Sequence, residues 1–234
     1  MAVPNLMSEV VRLSTAQRIG VAVGSAVGAF VDPYRDDLVA SLLEVVGTDG
    51  LKALQRRVLS IPEGRQVLED QPFISSKTID LETLRTFPEN TFGRKYVNWL
   101  DSNRVTPDTR KPVRFIEDPD LAYLVLRIRQ THDFFHVLLN MPTVVSGELA
   151  VKIVEAGQLR LPMPFLAGVF GPLSIIRKTK EMDKFCNKFL PVALKNIAPN
   201  HNSRIMLTAY FEKRFEQDIS DFQKEFNIIP YVEN

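Results

Sequence analysis

The chain has a single cysteine, Cys186, in 234 residues. An intrachain disulfide is therefore excluded, and a reducing compartment is the expectation. An excess of charge of either sign is also missing. The 29 lysines and arginines nearly match the 28 aspartates and glutamates, for a formal net charge of +1. That leaves no electrostatic footprint for nucleic acid. The uncharged apolar stretch Ile19–Val31 is shorter than the about 20 residues that cross a bilayer as a helix. The N-terminus reads as neither a signal peptide nor an arginine-rich transit peptide. A soluble or peripheral protein is expected, of bacterial source or already without a leader. Strand-like alternation is absent, and so are internal repeats and low-complexity linkers.

What is present reads as a succession of helices. Asp32-Pro33 opens one that Gly47 closes. Thr48 or Asp49 opens a second, with Leu51, Leu54 and Val58 on one face. A short helix runs from Ile61-Pro62 to Glu69, and Phe92, Tyr96, Trp99 and Leu100 form an apolar stripe on another. Residues 102–117, with Pro107 and Pro112, are irregular. A Pro/Gly-punctuated apolar segment runs from Leu161 to Leu173. A long helix over Ser174–Ala198 is kinked or split by Pro191, and a last one spans Ser203–Phe226. The length suits one core. The expectation is one all-α domain over residues 1–234, a helical bundle whose residues 1–15 are loose.

Histidines are few: His132, His136 and His201. Two of them fall in His132-Asp133-Phe134-Phe135-His136, inside a strongly apolar stretch, with Glu148 following. Asp118 is a good N-cap, and Pro119 fits the first turn of a helix. Leu121, Leu124, Val125, Ile128, His132, Phe135, His136 and Leu139 then recur at helical spacing. The two imidazoles thus share one helix face, a turn apart. Asn140-Met141-Pro142 ends that helix. A second starts near Thr143, which can cap it, and runs to Gly157. A tight hairpin of the two folds Glu148 back against the His pair. Asp133 is a fourth ligand or an orienter of His136. Burying so much polar chemistry is costly unless something satisfies it. Two imidazoles with one or two carboxylates suit zinc or ferrous iron better than magnesium. Three firm ligands with an open position mark a catalytic site. The bland alternative keeps both histidines as core residues with backbone partners and pairs Asp133 with Arg129.

The pattern His-Asp-x-x-His, eleven residues, then Glu resembles the signature of a ubiquinone-biosynthesis family, the fourth of the numbered COQ proteins. Further segments are similar to that family. They include Asp32-Pro33-Tyr34-Arg35-Asp36-Asp37-Leu38-Val39-Ala40, Thr91-Phe92-Gly93, Pro107-Asp108-Thr109-Arg110 and Leu121-Ala122-Tyr123 before Arg127 and Arg129. Downstream, Gly147-Glu148, Lys152, Glu155-Ala156, Leu161-Pro162-Met163-Pro164 and Phe170-Gly171-Pro172 also fit. The resemblance covers about residues 15–230. It implies that His132, Asp133, His136 and Glu148 are the metal-binding and catalytic set. It implies a polyprenylated hydroxybenzoate as substrate, with the ring carboxyl replaced by a hydroxyl in an oxidative decarboxylation. It also implies a role in organising the other quinone-biosynthesis enzymes at a membrane surface. The location would be cytoplasmic and peripheral to the inner membrane in a bacterium, or the matrix face of the mitochondrial inner membrane in a eukaryote.

Several features admit two readings. Gly20, Gly24 and Gly28 share a helix face, which suits close helix packing or a groove for a thin ligand. The apolar stretch from Leu161 to Phe170 is a buried plug, a subunit contact or a surface that admits a prenyl tail. Arg129 and Lys152 are candidates to orient a substrate carboxylate or phosphate near the metal, and a prenyl-phosphate lipid is the other ligand considered. These features also make a homodimer the expected assembly. Zinc is the expected cofactor, with iron or magnesium as the alternatives. The competing function is a non-catalytic prenyl-lipid scaffold. A metal phosphohydrolase ranks last, because no histidine precedes His132.

Overall fold

The computed structural model describes residues 10–31, 36–109, 112–161, 175, 178–198 and 201–233. Among them the helices are α1 (Thr15–Val31), α2 (Asp36–Val46), α3 (Thr48–Leu59), α4 (Pro62–Asp70), α5 (Leu81–Thr86), α6 (Phe92–Asn103), α7 (Pro119–Leu139), α8 (Val145–Leu159), α9 (Thr179–Lys184), α10 (Leu190–Ile197) and α11 (Ile219–Phe226). The only pairing of strand type among the described residues is an isolated bridge between Thr91 and Asp218. The all-α expectation is met. No described helix is long and apolar enough to cross a membrane.

Helix α7 is the axis of the fold. Asp118 caps it by accepting from the Asp120 and Leu121 amides at 3.0 and 3.1 Å, and Pro119 supplies the first turn. It is buried nearly all round, so the fold packs on it from almost every side. Its N-terminal half, with Leu121, Leu124, Val125 and Ile128, packs on Leu51, Leu54 and Val58 of α3. Its C-terminal half, with Phe134, Phe135 and Leu138, joins a second cluster with α6, α8 and the aromatics Phe211, Phe222 and Phe226. Arg127 lies fully buried between the two, paired with Glu212. Such a pair is tolerated because each charge has its partner. Asn140 adopts the left-handed conformation at φ 50° and closes the helix.

Four expectations need correction. The last helix does not span Ser203–Phe226. Residues 206–208 and 211–213 form short 3-10 turns, and α11 starts only at Ile219. Met206, Leu207, Thr208, Ala209 and Phe211 are all buried, so this stretch threads the core rather than laying one face on it. The carbonyls of Phe215 and Gln217 accept instead from Gly93 and Phe92 at the start of α6, each at 2.8 Å. Asp218 then opens α11 by accepting from the Ser220 and Asp221 amides. Second, the run before Pro191 is not one regular α-helix, and Pro191 sits in the first turn of α10, where a missing donor is tolerated. A π turn over Phe185–Phe189 separates α9 from α10. The described part of this run begins at Thr179 rather than Ser174. Third, Thr143 does not cap α8. Its hydroxyl donates to Asn103 Oδ1 at 2.6 Å, and Val144 holds the cap position. Helix α8 also runs past Gly157 to Leu159. Fourth, close packing at the glycines of α1 holds only at Gly28, where a Cβ would lie 2.5 Å from Leu38 Cδ1, whereas at Gly20 and Gly24 it would meet nothing within 4 Å. The short α5 was not anticipated, although Asp80 caps it by accepting from the Thr83 amide. The expectations at Asp32-Pro33 and over Pro162–Leu173 lie outside the described residues.

Arg214 ties α11 to α4. Its guanidinium donates to Glu63 Oε1 at 2.7 Å and to Glu225 Oε2 at 2.7 Å. The hydrogen bonds from Arg214 hold the Glu225 carboxyl down at about 2. A carboxyl lowered on folding stabilises the fold above its unfolded value, about 4.3, and that contribution is lost as pH falls through about 2. Glu225→Gln is therefore expected to flatten the loss of stability on the acid side of about pH 4.3. Because Glu225 is partly exposed, added salt flattens it too. Denaturant midpoints at pH 3 and pH 6 read the difference. An unchanged slope overturns the assignment.

Candidate metal centre

Three side chains from two helices meet after the bend at Asn140-Met141-Pro142. His132 and His136 leave the C-terminal half of α7, and Glu148 leaves the first turn of α8. His132 Nε2 lies 3.3 Å from Glu148 Oε2, and His136 Nε2 lies 3.2 Å from Glu148 Oε1. One carboxylate thus spans both rings, whose centroids are 5.0 Å apart and nearly perpendicular, at 79°. One ligand atom from each of the three residues falls within 4.8 Å of the others.

Glycine makes this approach possible. A Cβ at Gly147 would sit 2.1 Å from the Pro142 carbonyl oxygen. Only the bare backbone lets the first turn of α8 close on the bend. Leucine, alanine and valine side chains behind Glu148 then bury α8 against the core around α7.

The outer nitrogens are also held. His136 Nδ1 faces the Met141 carbonyl at 3.0 Å. A carbonyl only accepts, so Nδ1 carries the proton and Nε2 presents its lone pair to the cluster. His132 Nδ1 faces Glu155 Oε1 at 2.8 Å. Glu155 is the residue that sequence reasoning missed as part of the site. A signal existed: it follows Glu148 by seven residues, two helical turns, on the same face of α8.

The electrostatics follow from this crowding. Burial works against a charge on His132, but the Glu155 and Glu148 carboxylates outweigh it and push the ring up to about 9. Burial would raise Glu148, yet the two facing imidazoles hold its carboxyl well below the usual range. Glu155 is likewise lowered, its burial outweighed by His132. In the metal-free state a proton on His132 supplies the positive charge between the carboxylates. A metal cation would take that role and displace the proton.

The residues fit a metal on their own chemistry. His136 Nε2 is buried and, although 3.2 Å from Glu148 Oε1, makes no aligned hydrogen bond to it. An orphaned buried nitrogen is costly, and a cation would satisfy it. Two imidazole nitrogens and a carboxylate form a three-ligand donor set of catalytic type, suited to zinc or ferrous iron. The side chains open progressively to solvent, from 0% exposed at His136 to 16% at His132 and 29% at Glu148. The cluster is thus reached from the Glu148 side.

The other expected site residues are placed differently. Asp133 is buried on α7 and is not among the side chains whose ligand atoms converge. Arg129 is paired with Glu44 and donates to the Pro112 carbonyl at 3.3 Å. Its charge therefore fastens α7 to α2 and to the irregular segment before α7. Lys152 is half-buried on α8, and its charge acts on Glu155.

Residues 7–231 match the family described as coenzyme Q (ubiquinone) biosynthesis protein Coq4. The chain belongs to this family. A Xenopus tropicalis protein named ubiquinone biosynthesis protein COQ4 homolog, mitochondrial, is 42% identical over 226 residues, 97% of this chain and 79% of that protein. The ubiquinone biosynthesis protein COQ4, mitochondrial, of Coprinopsis cinerea is 44% identical over 208 residues, 89% of this chain and 70% of its own. A crystal structure of a candidate ubiquinone biosynthesis protein from Nostoc punctiforme PCC 73102 superposes with a TM-score of 0.62 at 19% identity, covering 90% of this chain and 94% of that one. That likeness speaks for the Coq4 fold alone.

Proposed function

We propose that His132, His136 and Glu148 hold a divalent metal, zinc first and iron second, and that the chain uses it to replace the ring carboxyl of a polyprenylated hydroxybenzoate by a hydroxyl. Family membership places the chain in ubiquinone biosynthesis. The observation that carries the metal is the buried, unpartnered His136 Nε2, aimed at a carboxylate that also meets His132. Chemically, the ring carbon loses its bond to the carboxyl, which leaves as carbon dioxide, and gains a bond to oxygen. The substrate gives up two electrons in this exchange. Dioxygen supplies the oxygen atom, and its second atom leaves as water with two electrons and two protons from an external reductant. The bound cation would supply Lewis-acid stabilisation of charge developing on the phenol or carboxylate.

The chain's own residues prepare that site. Met141 O fixes the His136 tautomer, so that its Nε2 stays a ligand atom. Glu148 spans the two rings and ties α8 to α7. The buried flank at His136 excludes water, while the Glu148 side admits the head group. We further propose that the chain works at a membrane surface beside other quinone-biosynthesis enzymes. Support comes from α1, where Ile19, Val23 and Val27 are each more than half exposed. A prenylated substrate stays in a bilayer because each buried CH₂ contributes about 0.8 kcal/mol.

The scaffold reading also has an observation in its favour. Both ring nitrogens of His132 already face carboxylates, and such a cluster can pin two helices without turnover. Metal removal separates the two readings. Chelator-stripped protein is expected to stay folded, keep co-purified prenyl lipid and lose decarboxylation, which zinc or ferrous iron restores. Turnover that survives complete stripping overturns the metal-dependent reading.

A further inference from the structure

The two histidines of the cluster are anchored differently on their far sides. His136 Nδ1 is held by a main-chain carbonyl, from Met141. His132 Nδ1 is held by a carboxylate, Glu155 Oε1, at 2.8 Å. That is shorter than either contact from Glu148 to the rings, at 3.3 and 3.2 Å. Glu155 itself is nearly inaccessible, its side chain 8% exposed. Burying an acid is costly. Its placement on one ring nitrogen, away from the convergent ligand atoms, gives the acid a specific job.

We infer that Glu155 is a positioning residue for the metal: it accepts the hydrogen bond from Nδ1 of His132, keeps Nε2 on the Glu148 side as the nitrogen that would bind the cation, and makes that ring the more strongly donating of the two imidazoles. This rests on the metal reading above. Three physical effects combine. The hydrogen bond holds the proton on Nδ1 and fixes the ring rotation, so that the proton a cation would displace is the one on Nε2. The negative charge behind the ring raises its donor strength. Because Glu148 and Glu155 sit two turns apart on α8, one helix supplies both a ligand and the support for another ligand on α7. Closing the hairpin therefore sets both together. The backbone carbonyl behind His136 can orient but carries no net charge, so the two rings contribute unequally.

The experiment compares the whole chain with Glu155→Gln and Glu155→Ala, measuring zinc affinity by competition with a chromophoric chelator and zinc release after excess chelator is added. Metal-free melting temperatures report the fold separately. Gln keeps an accepting oxygen but loses the charge, and Ala loses both. The expected order of affinity is wild type, then Gln, then Ala. The losses should fall within the roughly 10–100-fold typical of outer partners of metal-bound histidines, with faster zinc release in the same order. A merely structural role would lower the metal-free melting temperature and leave affinity unranked. Wild-type affinity in a folded Glu155→Gln protein overturns the assignment, and this variant decides the matter if Glu155→Ala does not fold. A wild-type chain that takes up no zinc overturns the metal reading and the role of Glu155 with it. Zinc uptake by wild type with an unaffected Gln variant overturns only the latter.

Discussion

Glu148→Gln is expected to give a folded chain whose zinc affinity falls by more than the roughly 100-fold upper range for an outer partner, and whose decarboxylation is lost. The fold should survive because an amide has the same shape. Its oxygen can accept from His132 while its NH₂ group faces His136 Nε2, so the rings at 3.3 and 3.2 Å each meet an atom of matching polarity. Removing the partner outright would leave buried polar atoms unsatisfied, and that is where the stability cost lies. The metal suffers because a neutral amide is a poor ligand beside two neutral imidazoles, and the charge that balances the cation has gone. Glu155, on the far side of His132, cannot replace it without leaving Nδ1. Zinc stoichiometry after dialysis, the metal-free melting temperature and ring decarboxylation should therefore separate cleanly. Retention of both zinc and turnover would sink the site. Loss of zinc with turnover intact would leave the cluster as a helix clamp and overturn the metal-dependent reading.

Much of this site was legible in the sequence because helical spacing is a local property. Asp118 and Pro119 mark the start of α7, Asn140-Met141-Pro142 mark its end, and i,i+4 spacing puts His132 and His136 on one face. The one non-local step, folding Glu148 back onto them, was a wager on a tight bend, and Gly147 is the residue that permits it. The contacts beyond the motif were not legible. Arg129 looked well placed for a substrate anion, yet its partner Glu44 lies on α2, far away in sequence. Glu155 was visible only as part of a family-like segment, since its use depends on which face of α8 meets α7. The C-terminal third fared worst. The run Met206–Phe211 is apolar enough to look like a helix, but it is buried on all sides and its neighbours' carbonyls are taken up by α6. Periodicity reports one buried face, and it has nothing to report where every face is buried.

The bend can be tested at a single atom. Gly147→Ala is expected to destabilise the chain by about 1–3 kcal/mol, the range for overpacking a filled site, and to weaken zinc binding at least about tenfold, as a misplacement worth about 1.4 kcal/mol would. The added Cβ would fall 2.1 Å from the Pro142 oxygen and 3.1 Å from its Cγ. The oxygen belongs to the main chain and the Cγ to a closed proline ring, so neither can swing away as a flexible side-chain end would. Relief requires α8 to back off from the bend or the bend to shift. The first moves Glu148, the next residue in α8. The second moves Met141, whose carbonyl orients His136. Either way the two halves of the ligand set lose register. A control lies near the C-terminal end of α8, where it faces α10: a Cβ at Gly157 would meet Ile197 Cγ2 at 2.4 Å. Gly157→Ala also overpacks α8, but against a side chain remote from the bend. It should lower the melting temperature while leaving zinc affinity near wild type. Saturating zinc should recover part of the stability lost in Gly147→Ala, by mass action on the folded state. Equal zinc affinity in the two alanine variants would mean that the close approach at Pro142 does not set the position of Glu148.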